Sequence, residues 1–353
     1  MQDLITKLKI IPVECMDQKL KLVASYGIFK HAIEQNYSGF GDQFNDLVNT
    51  HKNLGRSSLD TSLVLSINAH LWGAVFPIYY FGTNEQKNNY LKALVKGVLI
   101  GGHAITEARA GSNISLMEAS ACSSGEFFTI NGSKKYITNC PIMDIVLVYV
   151  KTEEGINALI IEKQDEGVHF IKSHTITGFL NAPIGEIIFS NCKVPNSRLL
   201  GQRGAGQMII QKALELERAF IFAGILGIMQ WQLEEVLKYS KRRKINKSSS
   251  IYDLQAINHK IAEISMKFRT IELWLNKCAE LKDKNLRITI ESACTKLFAS
   301  EVFLQSSIEI AHIFGAFGLE IDQPYSQLVL DGLASTIFSG SSEIQKNIIS
   351  SLL

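Results

Sequence analysis

F-F-T-I-N-G-S-K-K-Y-I-T, residues 127–138, is where the periodicity of the chain changes. Apolar and β-branched residues flank Asn131-Gly132. An Asn-Gly pair supplies the positive-φ residues of a type I′ turn, so the stretch predicts a hairpin with arms 127–130 and 133–138. Outward from it, residues 146–150, 158–161, 168–171 and 186–189 have strand composition. Six or more short strands without a long helix predict an antiparallel β domain over 101–202.

Helices are expected on both sides. Residues 63–81 form a long, largely apolar run, and the polar G-T-N-E-Q-K (82–87) starts a further short amphipathic helix. From Gly206 the helical period returns, over 206–242, 254–280, 287–316 and 326–352. Short polar connections such as K-I-N-K-S-S-S (244–250) predict an antiparallel four-helix bundle. The expected fold is α+β: an N-terminal helical domain (1–100), a middle β domain (101–202) and a C-terminal bundle (203–353).

Composition narrows the function. Apolar residues make up 46% of 353, a globular composition, and Lys+Arg 36 against Asp+Glu 34 leaves no basic excess for nucleic acid. Cys15, Cys122, Cys140, Cys192, Cys278 and Cys294 are scattered without a C-x-x-C pair, so neither disulfides nor a metal site is expected. The N-terminus lacks the shape of a signal peptide, and no run of about 18 uncharged apolar residues occurs. A cytoplasmic chain without a membrane span is expected.

One carboxylate is out of place. On a wheel of about 100° per residue, Ile210, Ala213, Phe220, Ile221, Gly224 and Ile228 fall within about 60° of Glu217, while Lys212, Glu215 and Arg218 lie elsewhere. A carboxylate in an apolar arc is either paired with a base from another helix or a candidate general base. Two loops are further candidates. H-A-I-T-E-A-R-A-G-S-N (103–113) offers Thr106 and Ser112 hydroxyls and a Gly111 that permits close backbone approach. G-Q-R-G-A-G (201–206) could form an anion nest but is expected to be a linker. F-S-G-S-S-E-I-Q-K (338–346) breaks two apolar runs and predicts a helix boundary.

Seven ordered motifs resemble the acyl-CoA dehydrogenase family of flavoproteins along almost the whole chain. I-T-E-A-R-A-G-S-N (105–113) resembles the family's T-E-P-x-A-G-S-D loop, and I-N-G-S-K-K-Y-I-T-N (130–139) its L-N-G-x-K-x-W-I-T-N segment. L-E-L-E-R (214–218), Y-S-K-R-R-K (239–244), L-Q-A-I-N-H-K-I-A (254–262), H-I-F-G-A-F-G (312–318) and S-G-S-S-E-I-Q-K (339–346) follow in the family's order. The resemblance implies FAD between the β domain and the bundle, with Thr106 and Thr138 at the flavin edge, Tyr136 beside its ring and Ser112 near flavin or thioester. It implies that Arg243, His312, Gly315 and Ala316 reach the FAD of a neighbouring subunit, with Ser341 and Glu343 by the adenosine end. Ser112, Glu215, Arg218, Phe338 and Ser339 are implied on the substrate side. The implied assembly is a homodimer or homotetramer. The implied reaction is α,β-dehydrogenation of an acyl thioester on CoA or on a carrier protein, with a flavoprotein as a candidate electron acceptor.

The chain departs from the pattern where most members carry the catalytic Glu, because Ser339 stands there. A minority, the isovaleryl- and long-chain-type enzymes, place the base on the first bundle helix, which corresponds to Glu217. Asn246, Lys247, His312, Ala316 and Ala108 also depart from the pattern, which implies a divergent member. The competing expectations are a flavin monooxygenase or oxidase on the same fold, or a flavin-binding subunit that has lost its base.

Overall fold

The computed structural model describes residues 1–172 and 176–353. The N-terminal part comprises α1 (Gln2–Leu8), α2 (Met16–Ser25), α3 (Phe44–Ser58), α4 (Thr61–His70), α5 (Phe76–Phe81), α6 (Asn84–Gln86) and α7 (Lys92–Val95). Local chemistry starts them: the Asp60 carboxylate accepts the Leu63 N–H at 2.9 Å, and Thr83 and Gln86 form a reciprocal capping box on α6. A π-helical turn, Leu71–Val75, joins α4 to α5. The apolar run is buried because every side faces protein, with Trp72 and Phe76 fully enclosed and the Trp72 indole N–H bonded to Asn68 Oδ1 at 2.6 Å.

The middle part is one eight-stranded sheet: β1 (Gly101–Ala104), β2 (Ser120–Ser124), β3 (Phe127–Thr138), β4 (Ile145–Thr152), β5 (Gly155–Glu162), β6 (Val168–Lys172), β7 (Ile184–Pro195) and β8 (Leu199–Leu200). The order is β6-β7-β3-β2-β4-β5-β8, with β1 on β4. Most pairs are antiparallel, but β1 and β4 run parallel, so the sheet is mixed.

The opening stretch is not a hairpin. Residues 127–138 form one continuous strand, and the turn lies earlier, at Gly125 (φ +58) and Glu126 between β2 and β3. Asn131-Gly132 instead marks a register shift against β7. Only Gly132 has positive φ there (+131), and a Cβ at that position would stand 2.6 Å from Ala119 Cα. Asn131 and Asn191 lock the irregularity by exchanging two hydrogen bonds, of 3.1 and 2.8 Å.

The C-terminal part holds α8 (Gly206–Phe220), α9 (Phe222–Arg242), α10 (Gln255–Asp283), α11 (Thr289–Phe314), α12 (Tyr325–Ser335) and α13 (Ser342–Ser350). The expected 206–242 helix is interrupted at Ile221 alone. The expected 326–352 helix is divided by residues 336–341, where Ser339 (φ +54) and Gly340 (φ +89) leave helical geometry. Three segments, Thr61–Phe81, Gly206–Arg242 and Thr289–Leu319, are long and apolar enough by composition to cross a membrane. Within the fold, 94%, 67% and 50% of their apolar windows are buried against protein.

Candidate active site at the seam of sheet and bundle

Glu217 lies one turn from the end of α8 with its side chain 12% exposed. Among the described residues no basic side chain from another helix pairs with it at short range. The Ser339 hydroxyl donates to Oε1 at 2.5 Å, and Oε2 is buried without a hydrogen bond, 3.6 Å from His103 Nε2. The 336–341 connection is fixed in turn by the Arg218 Nε–H and the Gln345 amide, which donate to the Ser339 carbonyl at 3.0 and 3.2 Å. The Ser339 backbone N–H carries no hydrogen bond to a described residue.

His103 comes from β1, and the π-helical turn sets the position of that strand. A Cβ on Gly73 would reach 2.7 Å from the His103 backbone nitrogen, so glycine permits the close crossing. His70 holds the start of β1: its Nε2–H donates to the Leu94 carbonyl at 3.1 Å and its Nδ1 accepts the Gly101 N–H at 3.0 Å. Burial keeps His70 neutral, with its pKa pushed down to about 4.

The adjoining T-E-A loop is anchored by a buried pair that the sequence did not disclose. Lys134 Nζ lies 2.7 Å from Glu107 Oε1, and the Glu107 carboxylate also accepts the Glu118 and Ala119 N–H groups at 2.6 and 3.1 Å. The Thr106 carbonyl accepts the Lys135 N–H at 2.9 Å, tying this loop to the far half of β3. Thr106 and Thr138 are half-buried, and neither hydroxyl bonds to a described residue. Tyr136 (φ +57) sits at the second register shift of β3 and is 57% exposed, while Ser112 and Gly111 are exposed. Free hydroxyls beside an outward-facing aromatic are a donor set that suits a planar heteroaromatic group such as a flavin.

The remaining expected residues divide. Phe338 lies near Phe179 and Phe222 (centroids 5.5 and 6.3 Å), close to Glu217, and Arg218 holds Ser339 as described. Glu215, expected on the substrate side, instead fastens α8 to α11: it is 6% exposed and accepts the Thr289 hydroxyl at 2.7 Å and Lys212 at 3.5 Å. The wheel could not reveal this, because the Thr289 partner belongs to another helix. Ser341 stands at the N-cap position of α13, where the backbone N–H of Glu343 and the Ser341 hydroxyl hold the exposed Glu343 carboxyl below its ordinary range. Arg243, His312, Gly315 and Ala316 are exposed at the other end of α9 and α11, joined there by the Tyr239–Phe314 contact. At 1.5 Å per residue, His312 lies about 17 Å along α11 from Glu301, the partner of Ser342. Among the described residues no cluster of three metal-ligating side chains occurs.

A helical part, a mixed sheet and a bundle that converge on one half-satisfied carboxylate define a three-domain α+β fold with an acid–base site at its seam. Comparison identifies the family. The family models for the acyl-CoA dehydrogenase N-terminal, middle and C-terminal domains match residues 9–98, 102–192 and 204–353. The L-prolyl-[peptidyl-carrier protein] dehydrogenase of Serratia sp. (strain ATCC 39006) is 32% identical over 93% of this chain and 86% of its own length. The solved structure of the prolyl acyl carrier protein oxidase AnaB superposes with TM-score 0.93 at 30% identity, over 95% of this chain and 90% of that one. PigA with FAD and proline superposes with TM-score 0.92 at 30% identity, over 99% and 92%. The chain belongs to the acyl-CoA dehydrogenase family.

Proposed function

We propose that this protein is an FAD-dependent dehydrogenase of acyl thioesters in which Glu217 removes the α-proton. The observation that carries the proposal is the divided state of that carboxylate: Ser339 fills one oxygen, and the other is buried, unpaired and directed to the seam between α8 and β1. An oxygen in that state can accept a proton without first losing a partner. This also weighs against a subunit that has lost its base, because the function of the missing 339 carboxylate is available from α8.

FAD would be held by Thr106, Thr138, Tyr136 and Ser112, and it supplies the acceptor for the β-hydride. Arg243, His312, Gly315 and Ala316 lie exposed at the far end of α9 and α11, where a second copy of the chain in a dimer or tetramer would bring them to the cofactor. Ser341 and Glu343 would lie towards the adenosine end. The chain's own residues orient the substrate and hold the proton. Arg218 and Gln345 fix the Ser339 backbone, the Ser339 hydroxyl orients Glu217, and the Ser339 N–H is a donor for the thioester oxygen as negative charge develops on it. Phe338, Phe179 and Phe222 form an apolar wall that restricts water at the site.

Relatives named for carrier-protein substrates favour an acyl group on a phosphopantetheine arm over free CoA, and the relative named as an oxidase makes molecular oxygen an electron acceptor to weigh against a partner flavoprotein. All six cysteines are unpaired, which supports a reducing, cytoplasmic setting. The test is anaerobic mixing of the holoprotein with prolyl-carrier protein and with a panel of acyl-CoAs while flavin absorbance is followed. Bleaching by the carrier-bound substrate and its loss in Glu217→Gln, with FAD still bound, are expected. Turnover retained in Glu217→Gln would overturn the assignment. Admitting air or a partner flavoprotein to the reduced protein identifies the acceptor.

A further inference from the structure

We infer that His103 accepts the proton that Glu217 collects, so that the base is regenerated through the imidazole. The inference rests on the reading of Glu217 as base. Its geometry is independent of the Ser339 contact, because His103 Nε2 faces Oε2, the oxygen that Ser339 leaves open, at 3.6 Å.

The ring is not committed to holding the fold together. Its Nδ1 is buried without a hydrogen bond, whereas His70, which holds the start of β1 from the end of α4, has both nitrogens bonded to backbone. A histidine with a free nitrogen on one side and a carboxylate on the other has the connections of a proton relay. The His103 side chain is 17% exposed, against 12% for Glu217.

The groups facing Glu217 single out this residue. His103 approaches from β1 and Tyr149 from β4. His103 pairs in register with Leu147, so the two side chains share a sheet face with Tyr149, whose hydroxyl is buried and unpartnered. Lys296 acts from α11, and Arg218 follows Glu217 on α8 with its Nε bound to Ser339. Burial drives the Tyr149 hydroxyl far above its ordinary pKa. Burial also lowers the pKa of Lys296, to about 8, but among the described residues only His103 brings a ring or ammonium nitrogen within 4.0 Å of the open oxygen. Burial lowers its pKa and keeps it neutral at rest, while the Glu217 charge pulls in the opposite direction and stabilises the imidazolium once formed.

The balance is simple. Both electrons of the broken Cβ–H bond leave with the hydride, so only a proton is in question. It passes from the substrate α-carbon to Glu217 Oε2 and then to His103 Nε2, giving a carboxylate and an imidazolium. The imidazolium gives its proton to solvent after product leaves the seam.

The test separates proton transfer from oxidation. Acetyl-pantetheine has no β-carbon and cannot be dehydrogenated, but its α-hydrogens exchange with solvent if a base removes and replaces them. Exchange in D2O is measured by NMR on the holoprotein, on Glu217→Gln and on His103→Gln. Wild type is expected to wash in deuterium, and Glu217→Gln to lose the exchange. His103→Gln is expected to fall roughly ten- to a hundredfold, because the proton held on Glu217 returns to the same carbon. Its pH profile should also lose the imidazole limb. Absence of exchange in wild type, or its survival in Glu217→Gln, overturns the base itself. Loss in Glu217→Gln with His103→Gln equal to wild type in rate and pH profile overturns the relay alone. A second readout does not depend on the His103 variant folding: the imidazole titration of His103, followed by NMR, is expected to move to lower pH in Glu217→Gln. An unmoved titration also overturns the relay.

Discussion

Two glutamates lie on either side of the seam, and their surroundings treat them oppositely. Glu107 has its carboxylate filled by the Lys134 ammonium and the Glu118 and Ala119 N–H groups. Glu217 has one filled oxygen and one open. A buried carboxylate with all its acceptor sites used fastens a fold, and any change to it leaves a partner unpaired. One with an open oxygen stores acceptor capacity for a group that arrives later. Residue type and burial do not separate these roles; hydrogen-bond occupancy does.

The sharpest way to break this contrast is to neutralise each carboxylate. Glu107→Gln is expected to lower stability in urea by about 3 kcal/mol or more, because Lys134 is left buried and unpaired, while Glu217→Gln should change it by less than about 1 kcal/mol. Equal losses would show that the contrast in occupancy has no energetic meaning. Next in size, Gly132→Ala should cost about 2 kcal/mol in the same assay, since its Cβ meets Ala119 backbone beside the Glu107 anchor. On the open side, Ser339→Ala should slow flavin bleaching roughly tenfold, equivalent to about 1.4 kcal/mol, with little change in urea midpoint. A pH slope, comparable in sum to the carboxylate exchange, comes from two buried imidazoles. His51 and His70 are buried and neutral, both with pKa pushed down to about 4. The unfolded chain takes up their protons below about pH 6.5 and the folded chain does not, so stability should fall as pH drops from 6.5 towards 4. Each contributes about 1.4 kcal/mol per pH unit, with no contribution above that window. Urea midpoints at pH 7 and pH 5, with and without His70→Gln, measure it.

Much of this could be read from the chain. The change of period located the sheet, and the ordered motifs identified the family. The helical wheel placed Glu217 towards the core without any partner in view. What escaped were features whose meaning depends on distant segments. Asn131-Gly132 satisfies the demands of a tight turn and of a strand irregularity alike, and only the approach of Ala119 and Asn191 decides between them. Glu215 was expected on the substrate side because Thr289 was invisible to the wheel. His103 stood unremarked in a four-residue strand, and the available signal was a polar side chain among small, buried neighbours leading into the T-E-A loop.

The 2.5 Å contact between Ser339 and Glu217 has a consequence for how such a site can be inherited. Two segments more than a hundred positions apart bring their side-chain oxygens to nearly the same point. A carboxylate delivered from either segment would face the same substrate hydrogen, provided that the other segment yields a small hydroxyl in its place. The reactive oxygen therefore has an address in space and not in the chain. A lineage could move it from loop to helix through intermediates in which neither the substrate nor the cofactor has to shift.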